Sequence, residues 1–176
     1  MTFWKHIWHL LRIGFLSLFE SNNGIVRNNA GSWLTFVGTP LIIGCGCLFY
    51  SISAKAISND ILTTLSIFLA IALGVIFIVP DKLAKKIEGN LSNNESRINY
   101  LSRYKNFCKL FIRRLTFVLV LSVILIIISV LLQMIPPTFE IYISAVVFMM
   151  FTLAILSILK LVIDIYGFLM EEINKL

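Results

Sequence analysis

The chain has 176 residues, of which 59% are hydrophobic and 14% are charged, and its formal net charge is +6. Soluble domains contain about 45–50% apolar and about 25% charged residues. The composition therefore excludes an ordinary soluble domain and predicts an all-α integral membrane protein.

The first twenty residues predict an amphipathic helix that lies in the membrane interface. Lys5 and Arg12 fall on one helical face, while Trp4 and Trp8 belong to the apolar remainder. Charge interrupts this stretch too often for it to cross a bilayer, and a helix of this kind buries its rings and exposes its cations. Residues 21–32, rich in Asn and Gly, predict a linker to the first span.

Four apolar segments predict four transmembrane helices. They cover residues 33–52, 61–79, 115–135 and 139–159, and each is close to the ~20 residues that cross a bilayer core. The first two segments predict a transmembrane hairpin over residues 33–80, which Pro80 is expected to end. The last two predict a second hairpin over 115–159.

The basic region at residues 81–114 separates the two predicted hairpins and is the best candidate for a binding site. It holds nine of the fifteen Lys and Arg residues. These nine are the predicted ligand-binding residues: Lys82, Lys85, Lys86, Arg97, Arg103, Lys105, Lys109, Arg113 and Arg114.

Two explanations of this basic region stay open. The cations can serve the positive-inside rule and attract anionic lipids. They can also bind a polyanion such as an oligonucleotide, whose bases would stack on interleaved aromatic side chains. Those side chains, Tyr100, Tyr104, Phe107 and Phe111, can equally form an interfacial belt or helix-packing contacts.

The distribution of cations predicts the orientation in the membrane. With four spans, fourteen of the fifteen Lys and Arg residues lie on the side that holds both termini and the basic region, and Lys55 alone lies opposite. The positive-inside rule makes the crowded side cytoplasmic. We therefore expect both termini to lie in the cytoplasm.

Two long helices are expected to extend from the membrane into the cytoplasm. Residues 95–135 contain no Gly or Pro, and on that helix a mildly polar face is predicted to line a pore or to form hydrogen bonds across helices. The residues of this face are Ser122, Ile126, Ser129 and Gln133.

Residues 160–176 predict a cytoplasmic C-terminal helix. Its apolar residues repeat at spacings of four and three and form a seam for another helix. The seam consists of Val162, Tyr166, Leu169, Ile173 and Leu176. Lys160 and Asp164 stand one turn apart, either as a local ion pair or as part of a charge ring at a pore mouth.

The sequence contains no motif that indicates an enzyme. It has no nucleophile elbow, phosphate-binding loop or HExxH motif, and no ionisable residue lies in the middle of a span. Proton relays and coupled transporters usually need such intramembrane residues. We therefore expect neither an enzyme nor a cofactor nor a metal site, and a pore, an anchor or a sensor remains.

The layout resembles the small four-span membrane proteins of bacterial anti-phage defence systems. The resemblance consists of the segment ILTTLSIFLAIALGVIFIV at 61–79, the basic loop after it and the long helix that re-enters the membrane. The channel effector of the Hailong system is one such family. Resemblance to it implies a homotetrameric channel that a DNA oligomer holds closed. The membrane subunit of the Kiwa system is the second, and it implies a tetrameric sensor that recruits a cytoplasmic DNA-binding partner.

Combined with what this resemblance implies, these observations predict a homo-oligomeric, polyanion-gated pore of a defence system in the bacterial inner membrane, which depolarises the membrane when it opens. Its expected partners are the lipid bilayer with its anionic lipids, other copies of the chain, and a cytoplasmic protein or its oligonucleotide product. Two alternatives stay open: a membrane sensor or scaffold without a pore, and a bacteriocin immunity protein.

Overall fold

The computed structural model describes residues 2–20, 30–88 and 95–173, which form helices joined by turns. The helices are α1 (Thr2–Ser17), α2 (Ala30–Trp33), α3 (Thr39–Phe49), α4 (Ser58–Glu88), α5 (Glu95–Leu132) and α6 (Pro137–Ile173). A π-helical turn at Leu34–Gly38 joins α2 to α3, and a 3-10 turn at Lys55–Ile57 precedes α4.

In the part of the chain that the structure describes, four helical stretches are long and apolar enough to cross a membrane, in agreement with the predicted number of spans. They are Ala30–Phe49, Lys55–Ala72, Tyr104–Leu132 and Pro137–Gly167. The last two cover 29 and 31 residues, more than the ~20 that a bilayer core needs. The identity of the membrane and the side on which the termini lie stay predictions.

The spans pack in an order that differs from their order in the sequence. Helix α3 packs against α6, α6 against α5, and α5 against α4, while α1 also lies on α5. The two helices of the predicted first hairpin therefore pack against different helices, α3 against α6 and α4 against α5. The core lies mainly along α5 and α6. Fully buried examples from that core are Val118, Leu125, Val147 and Ala154.

Two glycines mark where the helices approach most closely. A Cβ atom at Gly14 of α1 would collide with the Cβ of Phe117 on α5, and one at Gly44 of α3 would collide with Met149 on α6. Small residues let helix backbones come together in lipid. The small residues of the first span thus serve packing within one protomer at Gly44.

Proline affects two of the helices differently. The first span contains the π-helical turn just before Pro40, where the Thr39 N–H bonds to the Leu34 carbonyl five residues earlier. Proline removes a backbone donor, and a π-turn is one way to absorb that loss. The helix end expected at Pro80 is wrong, since α4 continues through Pro80 to Glu88.

Helix α1 runs antiparallel along α5. The carbonyl of Ser17, the last residue of α1, bonds to Arg114, and Leu11 shares a groove with Leu121, further along α5. The amphipathic helix that the sequence predicts is therefore present and docked against a span. Its depth in the membrane stays a prediction.

Candidate functional site

The described part of α5 before Arg114 presents an exposed basic face. Lys105 and Lys109 are exposed and stand one helical turn apart. Arg113 follows one turn later with 37% of its side chain exposed. Ser102 and Asn106 add exposed polar groups beside them. We call Lys105, Lys109 and Arg113 the basic face; a row of cations at helical spacing can follow a chain of phosphates.

Arg114 is placed differently from its expected role as a ligand-binding residue, because its side chain is only 1% exposed. Its Nε atom donates to the Ser17 carbonyl oxygen over 2.8 Å. One terminal nitrogen donates to the Glu20 carbonyl and the other to the carboxylate of Asp164. The guanidinium is therefore occupied inside the protein, and we leave Arg114 out of the ligand surface.

The bonds of Arg114 join three helices at one end of the bundle, which we call the basic end. Arg114 belongs to α5 and Asp164 to α6, while Ser17 closes α1. The last carbonyls of a helix lack intrahelical donors and carry partial negative charge, so a buried cation suits the end of α1. Breaking such a buried pair typically costs about 3–5 kcal/mol. We call these contacts the Arg114 junction.

Two half-exposed cations complete the junction. Lys160 lies 3.0 Å from the second carboxylate oxygen of Asp164, which confirms the local ion pair one turn apart. Arg113 lies 3.7 Å from the carboxylate of Glu20. Ion pairs at such exposure contribute about 0–1 kcal/mol, far less than the buried one. Arg113 thus connects the basic face to the junction at modest strength.

The described aromatic side chains of the basic region are buried or half-buried. Phe111 is buried, and its ring stacks on Phe107 with the centroids 6.0 Å apart. Tyr104 and Phe107 are half-buried. Of the explanations left open, helix packing accounts for Phe111. The side chain of Tyr100 lies outside the described residues.

Two of the four residues predicted to line a pore point into the protomer. Ser122 and Ser129 are completely buried, and neither hydroxyl has a hydrogen-bond partner in the part of the chain that the structure describes. Ile126 is half-buried, and Gln133 is exposed just beyond the end of α5. Leaving a buried hydroxyl unpaired costs about 1–3 kcal/mol. The shared face exists, but its serines lie between helices of one chain.

The opposite end of the bundle has its own polar cluster around Glu140 of α6. The Ser53 hydroxyl donates to its carboxylate, and the ammonium of Lys55 lies 3.9 Å away. One turn later, Ser144 accepts the N–H of Ala54 over 3.0 Å. These contacts fasten the loop between α3 and α4 to the first turns of α6.

Several predicted residues cannot be placed in the site. The side chains of five of the nine predicted ligand-binding cations lie outside the described residues. They are Lys82, Lys85, Lys86, Arg97 and Arg103. Among the described residues, no three His, Cys, Asp or Glu side chains come together as a metal site.

The partners of Arg114 were not predicted from the sequence. A signal was available, because Asp164 is an acid at the end of a span and Arg114 is a cation at the border of the adjacent one. Charged side chains within transmembrane helices are costly to desolvate, and they usually pair with one another. The backbone carbonyls of Ser17 and Glu20 had no sequence signal, since any residue supplies a carbonyl.

No protein-family model, no curated protein and no solved structure matches the chain. The resemblance to the Hailong and Kiwa membrane proteins therefore stays a prediction from hydropathy and layout.

Proposed function

We propose that the chain is an oligomeric effector in the inner membrane of a bacterial defence system, with an ion path that a polyanionic ligand on the basic face controls. The observation that carries this proposal is the continuity of α5 from Glu95 to Leu132. One helix holds the exposed Lys105 and Lys109, then the Arg114 junction, then an apolar span. A conformational change at the basic face would therefore be transmitted to the membrane span through one continuous helix, α5.

Arg113 supplies a route by which the ligand would act on α1. Its guanidinium faces the Glu20 carboxylate at 3.7 Å. A phosphate oxygen bound to Arg113 would compete with that carboxylate, because phosphate accepts bidentate bonds from arginine. Release of Glu20 would loosen the end of α1 where Arg114 holds it.

The strip of α5 that stays uncovered within the protomer is the better candidate for the pore wall. Val123, Ile127 and Val130 are 45%, 54% and 49% exposed and follow one another at spacings of four and three. This spacing places them on one helical face. Because Ser122 and Ser129 point inward, we assign the wall to this strip, where protomers would meet. An apolar wall closes by dewetting.

Polar substitution of the strip tests this assignment. The full chain with Ile127→Asn, reconstituted in liposomes, should raise potassium flux roughly tenfold by lowering the barrier about 1.4 kcal/mol. Ile155→Asn on α6 is the matched control, since Ile155 is an apolar span residue of comparable exposure, 41%. Equal flux from the two variants, or no flux from any form, would contradict the proposed pore.

A second candidate function, a sensor or scaffold without a pore, is favoured by the C-terminal seam. Val162 and Tyr166 are 57% and 64% exposed, so no described helix of the protomer covers this part of the seam. The side chains of Leu169, Ile173 and Leu176 lie outside the described residues. A scaffold would retain a soluble DNA-binding protein through purification, would lose it on Tyr166→Asp, and would conduct under no condition.

A further inference from the structure

A groove of about 430 Å³ opens at the basic end, between the start of the first span and α6. Ligand sites usually measure about 300–1,000 Å³, so the groove has room for a small molecule or part of one. Its lining combines polar and apolar groups. It includes Gly31, Ser32, Thr35, Phe36, Leu156 and Lys160.

Polarity changes along the length of this groove. Lys160 lies beside Asp164, the acid of the Arg114 junction, and Ser32 and the apolar Ile163 line the same groove. Phe36 and Leu156 each stand one helical turn further into the spans. One end of the groove therefore offers a cation and a hydroxyl, while the other offers only apolar surface.

The charges beside the groove do not balance. The junction contains three cations, Arg113, Arg114 and Lys160, and two carboxylates, Glu20 and Asp164. One positive charge is in excess, and only Lys160 borders the groove. An ammonium has three N–H donors, and Asp164 accounts for one of them at 3.0 Å. Lys160 can therefore bind an anion without leaving its partner.

We propose that this groove binds one anionic phospholipid. The phosphate accepts hydrogen bonds from Lys160 and Ser32, and one acyl chain lies along Phe36 and Leu156. Basic pockets between transmembrane helices on the cytoplasmic side recognise anionic headgroups in this manner. The open space beside Gly31, where a Cβ atom would meet nothing within 4 Å, leaves room for the glycerol backbone.

A phospholipid fits this groove better than a second copy of the chain. A lipid carries the anion and the apolar tail on one molecule, in the order that the groove requires. A docking helix would have to place an acid against Lys160 and apolar side chains one turn away. The lipid proposal does not depend on a pore or on the ligand of the basic face.

Two variants change the groove in different ways. Gly31→Leu places an apolar side chain in the lining of the groove, its Cβ would meet nothing within 4 Å, and leucine favours the helix over glycine. Lys160→Gln removes the cation and keeps a hydrogen-bonding side chain. Lys55→Gln, at the opposite end of the bundle, is the matched control for loss of one lysine from an ion pair.

Native mass spectrometry of the detergent-purified full chain, titrated with phosphatidylglycerol or phosphatidylcholine, tests the site. The wild type should retain one phosphatidylglycerol per protomer in preference to phosphatidylcholine. Gly31→Leu and Lys160→Gln should each weaken this binding about fivefold, whereas Lys55→Gln should leave it unchanged.

Three results would overturn the proposal. The first is equal retention of the two lipids by the wild type. The second is unchanged phosphatidylglycerol binding by both groove variants. The third is a loss of oligomer rather than of lipid in Gly31→Leu, which would make the groove an interface between copies.

Discussion

Arg114 on α5 and Asp164 on α6, fifty residues apart in the sequence, form an ion pair in the interior of the bundle. Their side chains are 1% and 7% exposed. Arg114 also bonds to the carbonyls at the end of α1, so this one side chain holds an amphipathic helix and two spans together. The predictions below start from this junction.

Removal of one partner of this pair should destabilise the protein strongly. Arg114→Met leaves two carbonyls without their donor and leaves Asp164 with the half-exposed Lys160 as its remaining described partner. The free energy of unfolding should fall by about 3 kcal/mol, the lower end of the cost of breaking a buried ion pair. The double variant Arg114→Met with Asp164→Leu should recover part of that loss, since it leaves no buried charge. Thermal unfolding in detergent measures both. A double variant less stable than the single one would contradict this account.

A methyl group added at Gly14 should push α1 away from α5. The Cβ of Gly14→Ala would collide with that of Phe117, and overpacking of this kind costs about 1–3 kcal/mol. Gly46→Ala is the matched control, because its Cβ would meet nothing within 4 Å. Thermal unfolding of the two variants should differ, with only Gly14→Ala shifted downward. Equal midpoints would show that α1 does not depend on this contact.

Loss of cations from the basic face should weaken polyanion binding and change its salt dependence. The combined variant Lys105→Ala and Lys109→Ala removes two possible phosphate contacts. For single-stranded DNA, each contact contributes about 0.7 to the slope of log K against log salt, so the slope should fall by about 1.4. Binding of a fluorescent single-stranded oligonucleotide at several salt concentrations gives this slope.

Lys55→Ala provides the control for this salt series, since Lys55 pairs with Glu140 at the opposite end of the bundle. Its affinity and slope should equal those of the wild type. An identical salt dependence for the wild type, the double variant and Lys55→Ala would show that the basic face does not bind the polyanion.

The buried serines of α5 should prove dispensable for conduction. Ser122→Ala and Ser129→Ala each remove an unpaired hydroxyl, so stability should rise by about 1 kcal/mol and potassium flux in liposomes should stay unchanged. Ser144→Ala should lower stability instead, because the Ser144 hydroxyl accepts the N–H of Ala54. A fall in potassium flux in either α5 variant would indicate that these serines line the pore after all.

The sequence predicted the elements of the fold well because span length and hydropathy are local properties. An apolar run of about 20 residues is a span whatever it packs against. The long helix through Tyr104–Leu132 followed from the lack of Gly and Pro. Pro80 was the exception, since a proline can end or kink a helix and α4 tolerates it.

The directions of side chains were less predictable because they depend on the packing of helices. In a span that is apolar on every side, no periodicity shows which face meets a neighbour. Ser122 could thus be assigned to a polar face but not to the interior of the protomer. For the same reason, the sequence does not distinguish Arg114 from the other cations of the basic region, although Arg114 is the one that forms a buried ion pair with Asp164.

The most direct test of the proposed function is native mass spectrometry, with absorbance at two wavelengths, on the detergent-purified protein expressed with its genomic neighbour. The account predicts a homo-oligomer, expected to be a tetramer, with excess absorbance from nucleic acid and an oligonucleotide released on denaturation. A monomer with protein absorbance alone would contradict it.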